Sequence, residues 1–470
     1  MSRLRSMIRP FTLATVVALS LAPSAAAWAQ SLSQADLQTR YDRALAAGYK
    51  AMMLCSAIAN AERNGTTRSP DSVIAWELAG IQEPLDDIVG ELPFEIERGE
   101  GRGAQLRSVR VRWTDDMPPR IAAHDSQRGC SIEPIGWVPG PVTTVRQQRE
   151  PAPLHVVAPR GSALSSALDR AFHSPATDGS PRTTAVLVTR GGEIIGERYA
   201  EGFDPRTPQR TWSVAKSIAA TLIGAAVQRG EADVNSPAGL GSGYQDGLRG
   251  QITIDNALRM ASGRYSDTPG NRTDPLYFGG STVEEVALDW PVVDRPGSHF
   301  RYANNDTLAA VAAIADTFAD HPPSALFAAL GMDDTVAETD WQGNYVLSSQ
   351  VWSTARDLAK LGQLYLDDGV TREGTRILPR GWVEYVSSPT GPQPGGDYGY
   401  GAGWWIMSGM AGIPDDAFAA RGNRGQFIVV VPSRDVVIVR RGEDPAGGPG
   451  FDLEAFTRDV LATLAETDSD

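Results

Sequence analysis

Apolar, β-rich runs stand at both ends of one long stretch of this chain, and they bracket a helical middle. Residues 184–189 and 193–199 form the first pair, joined by Gly191-Gly192, a turn in which glycine supplies the positive φ of a tight hairpin. Strand-like runs return at 398–406, 427–431 and 436–440. Helical patterns fill the interval at 254–260, 283–288, 308–315 and 358–365, and a last helix is predicted over 453–465. A chain of this order builds one sheet from its two ends and inserts helices between them. The fold class read from the pattern is α/β (α+β), one sheet with a helical insertion.

The helix after the first hairpin opens at Arg210-Thr211-Trp212-Ser213-Val214-Ala215-Lys216 and runs to Gln228, with Gly230 as its stop. The chain has three lysines, Lys50, Lys216 and Lys360, among 43 basic residues, so a lysine beside a serine has a specific chemical meaning here. Arginine keeps its proton in a protein, whereas a desolvated lysine gives it up and can activate a hydroxyl. Positions three apart share a helix face, so the Lys216 amine can meet the Ser213 hydroxyl. Ile218, Leu222 and Ile223 among alanines make this a buried helix, which lowers a lysine pKa. The first-turn N–H groups lack intrahelical acceptors and can hold developing negative charge.

Two further polar groups follow in order. Tyr302-Ala303-Asn304 is expected in a turn between a short strand at 300–302 and a helix from Leu308. There Tyr302 can share proton traffic, and the Asn304 amide can orient both Lys216 and a substrate carbonyl. Gly422-Asn423-Arg424-Gly425-Gln426 precedes the 427–431 run, where glycine permits close approach and the Asn423 N–H can serve as a second oxyanion donor. The glycine-rich 399–405 segment reads as a bent strand with an aromatic wall.

Ser213-x-x-Lys216, Tyr302-x-Asn304 and the late glycine-bearing strand resemble the serine penicillin-recognising enzymes, and among them the class C β-lactamase-related hydrolases. The 253–263 and 353–361 runs extend the resemblance over roughly residues 165 to 465, and Gly-x-x-Gly-Gln looks most like 6-aminohexanoate-dimer hydrolases and related esterases. The resemblance implies a beta-lactamase/transpeptidase-like fold, an antiparallel sheet flanked by helices with a helical insertion. It implies Ser213 as acylated nucleophile, Lys216 as its base, Tyr302 as proton carrier and Asn304 as a positioning group. The N–H groups of Ser213 and Asn423 would form the oxyanion hole, with no metal or organic cofactor. Where β-lactamases of this group carry Lys-Thr-Gly, this chain has Ala420-Arg421-Gly422. Arg421 or Arg424 would then meet a substrate carboxylate, and a short ester or an ω-amino amide is favoured over a β-lactam. A β-lactamase or D-alanyl-D-alanine carboxypeptidase is the alternative within the fold. A catalytically silent binding module is the alternative outside it.

The 470 residues carry a net charge of −14, which argues against nucleic acid or an anionic membrane surface as partner. Arg3, Arg5 and Arg9, an apolar run at 11–22 and Ala27-Trp28-Ala29 predict a signal peptide over 1–29 and a periplasmic or secreted protein without a stable membrane span. In that compartment Cys55 and Cys130 most simply form one disulfide. Residues 31–133 read as a small α+β lobe. In it a helix begins at Ser33 with Asp36, a second begins near Asp71, and strands at 108–113 and 120–123 pair. A proline-rich connector over 134–160 leads to the hydrolase domain at 161–470. The five histidines show no metal-ligating spacing.

Overall fold

The structure, a computed structural model, describes residues 32–99, 104–138, 154–173, 180–240, 247–265 and 273–467. The expected leader at 1–29 and the 139–153 centre of the connector lie outside the described residues. The residues up to Arg40 form one unit and Tyr41–Asp470 a second. In the first, Ser33 caps helix α1 (Gln34–Asn64): its Oγ accepts the Asp36 N–H at 3.1 Å and donates to Asp36 Oδ2 at 2.7 Å. All that follows concerns the second unit.

After α1 come α2 (Pro70–Trp76), capped by Ser69, and the short α3 (Leu85–Val89). Strands β1 (Phe94–Arg98), β2 (Leu106–Val111), β3 (Arg120–Asp125) and β4 (Gly129–Ile132) form an antiparallel meander. The β2–β3 pair is the expected one, and β1 and β4 flank it. Cys55 on α1 is bonded to Cys130 on β4, closing a separation of 75 residues, which in the chain-entropy account stabilises by about 4 kcal/mol. This region's apolar core is shared with later chain. Tyr49 lies 4.4 Å from Phe278 between ring centroids, and Trp212, Leu276 and Trp352 belong to the same cluster.

Of the connector, residues 134–138 and 154–160 are described and contain no helix or strand. Helix α4 (Ser162–Arg170) then precedes the main sheet. Its strands are β5 (Thr183–Arg190), β6 (Glu193–Tyr199), and, after a small intervening sheet of β7 (Gln209–Arg210), β8 (Val336–Ala337) and β9 (Val351–Ser353), the late strands. These are β10 (Gly399–Tyr400), β11 (Trp405–Ile406), β12 (Phe418–Gly422), β13 (Gln426–Val431) and β14 (Val436–Gly442). The order β10-β11-β12-β13-β14-β5-β6 is antiparallel throughout, and β14 against β5 joins the two ends of the bracket. Gly191 and Gly192 both have positive φ in the β5–β6 turn.

Both faces of the sheet are covered, and strand alternation sorts the side chains. Ile428, Val430, Val437 and Val439 pack with α5 (Val214–Arg229) and the Ala355–Leu366 helix. Phe427, Val429, Val436 and Ile438 pack with α4 and the Leu453–Thr467 helix. Period-two alternation therefore reads as one continuous apolar run, because neither face meets water. Among the described residues no helix is long and apolar enough to cross a membrane.

Candidate active site

Ser213 sits at the N-terminus of α5, and the turn that presents it is strained. Trp212 has φ +48°, a left-handed conformation that costs a bulky residue free energy. Neighbours hold it there. Thr211 N–H donates to Val351 O at 2.8 Å, and the buried Arg210 guanidinium stacks 3.7 Å from the Trp212 ring. The N–H groups of Val214, Ala215 and Lys216 are consumed by Thr211 O, Trp212 O and Ser213 O. The Ser213 N–H makes no hydrogen bond among the described residues, and neither does the N–H of Asn423.

Lys216, 2% exposed, places Nζ 2.9 Å from Ser213 Oγ, 2.6 Å from Asn304 Oδ1 and 3.1 Å from Ser348 O. A neutral amine has two hydrogens and one lone pair. The amide oxygen and the carbonyl take the hydrogens, and the lone pair is left to the serine hydroxyl. Burial pushes the amine down to about 7, so this neutral form is accessible near neutral pH. Thr273 Oγ1 accepts from Asn304 Nδ2 at 2.8 Å, which fixes the amide with its oxygen toward the lysine. The other two lysines have ordinary tasks. Lys50 donates to Val89 O and Leu92 O, and Lys360 pairs with Asp357.

Tyr302 is half-buried, with its ring centroid 4.9 Å from Lys216 Nζ, and it lines the same cavity as Ser213. Burial pushes its phenol well above its ordinary value, so it arrives at the site as a proton donor. The expected strand at 300–302 is absent. Tyr302 lies in irregular chain, and the helix after it begins at Asn304 instead of Leu308 (Asn304–Ala312). That earlier start buries Asn304 on the first turn, facing Lys216. The 399–405 segment is a β10–β11 hairpin instead of one bent strand, and its Trp405 and Tyr400 stand 5.5 and 6.1 Å from the Tyr302 ring.

The turn after β12 closes the other side. A Cβ on Gly422 would lie 2.4 Å from Thr211 O and 3.2 Å from Ser213 N, so only glycine lets this strand end abut the serine turn. Gly422→Ala should therefore push the turn off Ser213 and lower kcat about a hundredfold, the usual loss for one oxyanion donor. Thermal unfolding within a few degrees of the parent would show that the loss is local.

Arg421 lies on Tyr398 at 3.9 Å, lines the cavity and has no carboxylate partner among the described residues. Arg424, the other carboxylate-binding candidate, is excluded from that role. It is 4% exposed and spends its guanidinium on Glu443 and on the carbonyls of Trp76, Ala79 and Gly80.

A cavity of about 530 Å³ opens above these groups, lined by Ser213, Tyr302, Asn304, Arg421 and Asn423. The sequence reading missed several neighbours. Asp274 lines the cavity, and burial pushes its carboxyl up to about 6 against the opposing pull of Arg210. Tyr277 also lines it and binds Ser348 Oγ at 2.6 Å, while Arg210 donates to Ser349 Oγ at 2.8 Å. Asp274-Pro275 did signal a helix start (Asp274–Tyr277), but the serines at 348 and 349 stand in a stretch without periodicity.

Comparison with known proteins identifies the fold and the family. Residues 168–445 match the family model described as Beta-lactamase. A 6-aminohexanoate-dimer hydrolase of Paenarthrobacter ureafaciens is 29% identical over 293 residues, 56% of this chain and 73% of that protein. A Bacillus anthracis protein assigned as a candidate 6-aminohexanoate-dimer hydrolase superposes with a TM-score of 0.55 at 21% identity, covering 67% of this chain and 88% of that one. An octameric penicillin-binding protein homologue from Pyrococcus abyssi superposes at 0.51 with 17% identity, covering 64% and 77%. The fold is thus beta-lactamase/transpeptidase-like, and the chain belongs to the beta-lactamase family of serine hydrolases.

Proposed function

We propose that this is an exported hydrolase that cleaves small amides or esters through an acyl-enzyme on Ser213. The observation that carries this reading is the lysine amine 2.9 Å from the serine hydroxyl, with acceptors for its own hydrogens on the other sides. In acylation the Ser213 hydroxyl proton passes to Lys216 Nζ as Oγ bonds to the substrate carbonyl carbon. The carbonyl oxygen takes the negative charge between the N–H groups of Ser213 and Asn423. Tyr302 then donates its proton to the leaving nitrogen or oxygen and is reprotonated from Lys216. Deacylation repeats these steps with water as nucleophile, and Asn304 keeps the lysine and the substrate carbonyl aligned.

The cavity offers a carboxylate at Asp274 and, at Arg421, a guanidinium with no carboxylate partner among the described residues, opposite charges suited to an ω-amino amide with a terminal carboxylate. The relative from Paenarthrobacter ureafaciens, named for hydrolysis of the 6-aminohexanoate dimer, supports that substrate class. The absence of Lys-Thr-Gly at 420–422 weighs against β-lactams. Export is supported by the Cys55–Cys130 bond and the leader pattern.

The test is a panel of a chromogenic acetate ester, the linear aminohexanoate dimer and a chromogenic β-lactam. Steady turnover of the ester or the dimer, with the β-lactam about a hundredfold or more poorer in kcat/KM, is expected, since truncating specific polar contacts costs several kcal/mol. A β-lactam hydrolysed best of the three would move the assignment to the β-lactamase alternative.

A further inference from the structure

The cavity has one wall that the family match does not supply. Gln82, in the loop between α2 and α3, lines it beside Asn423 and Arg424, although residues 168–445 are the ones matched. This loop is fastened to the catalytic turn. Arg424 Nη2 donates to Trp76 O at 2.9 Å and Ala79 O at 2.8 Å, and Nη1 donates to Gly80 O at 3.0 Å. Ala446 N–H also donates to Gly80 O at 2.8 Å. Gly80 has φ +65°, and a Cβ there would lie 3.1 Å from Pro445, so the loop approaches closely enough to require glycine. Ile81 N–H is tied to Asp86 Oδ1 at 3.0 Å. The residue preceding Arg424 carries the free N–H of the oxyanion site. Gln82 is thereby held in fixed relation to the reacting centre, though it comes from a different part of the chain.

The side chain itself is free to act. Gln82 is half-buried, and its amide makes no hydrogen bond among the described residues. Its backbone oxygen is taken by Leu85 N–H at 3.0 Å, and Gln82 is the residue of this loop that lines the cavity. A primary amide offers a donor and an acceptor together and no charge. A neutral group that meets a primary amide's donor and acceptor side by side is another amide.

We infer that Gln82 is a specificity-determining residue, through which the N-terminal lobe selects substrates bearing a second amide group away from the scissile bond. This rests on the cavity being the acyl-transfer site. It assigns the lobe a direct part in the cavity: the family scaffold supplies the chemistry, and the added loop reads the substrate. An oligomer of an ω-amino acid, with several amides in one chain, is the substrate class that presents such a group.

The experiment uses full-length protein and a chain-length series of paired chromogenic esters, identical except that one acyl chain ends in methyl and the other in acetamido. Wild-type protein should prefer the acetamido member at the length that reaches Gln82. In Gln82→Leu the acetamido-over-methyl ratio of kcat/KM should fall about three- to tenfold, the range of one neutral hydrogen bond. A loosened lobe would lower both esters in proportion and leave the ratio unchanged. An unchanged ratio, or no acetamido preference at any length, overturns the inference. If no ester is turned over at all, calorimetric binding of N-hexylacetamide to the Ser213→Ala protein decides separately. Weaker binding in the Ser213→Ala/Gln82→Leu double variant would uphold the role of Gln82 while the acyl-enzyme reading fell. Equal binding would overturn the role itself.

Discussion

Ser213→Ala should lower kcat on any turned-over ester by about four orders of magnitude or more, and it should abolish covalent labelling by a fluorophosphonate. Removal of a nucleophile costs what removal of its whole catalytic set costs, because the groups act as one unit. The substitution is small and leaves the turn intact. Its backbone bonds run through Thr211, Trp212 and Lys216, none of which involves Oγ. The variant should therefore fold and bind substrate with KM close to that of the parent. Turnover and labelling that persist in Ser213→Ala would place the chemistry elsewhere and refute the acyl-enzyme.

The second large effect concerns the base. Lys216 must be neutral to accept the serine proton, and burial holds it at about 7. kcat/KM should accordingly rise with pH through about 7, falling roughly tenfold per unit below it. Lys216→Met should lose on the order of a thousandfold. Lys216→Arg should lose as much, since a guanidinium keeps the charge but cannot give up its proton. An arginine variant that retains most of the rate would show that charge, not proton transfer, is the role of this position.

The same group marks the stability profile. Its folded pKa lies below its unfolded value of 10.5, so the unfolded chain binds more protons between about 7 and 10.5. On this group's account, stability rises with pH across that window and is lowest below it. Lys216→Met should flatten that slope in denaturation curves measured from pH 6 to pH 10.

Much of the site was legible because it is local. Ser213 and Lys216 are one helical turn apart, and helix periodicity alone puts their side chains on one face. The two strand pairs at 183–199 and 426–442 announced themselves because β-branched runs bounded by glycine have few other ways to fold. Gly230, with φ +77°, ended α5 where a left-handed cap was expected. The boundary at Asn304 was misread, since a polar Asn-Asn-Asp run looks like a loop unless one knows it is buried against a lysine.

What the sequence by itself determined was the chemistry of single elements: a buried helix with a serine and a lysine on one face, hairpins with glycine turns, and two cysteines with no competitor. Only the tertiary structure decided which distant groups complete the site. It gave Arg424 to the backbone of a loop near residue 80 and left Arg421 facing the cavity, although the two are alike and three positions apart. It brought Asn304, Ser349 and Gln82 to one cavity from separate stretches of chain. Periodicity reports how a residue faces its own helix or strand. Contacts between elements depend on packing, close approach and desolvation, which no local pattern encodes.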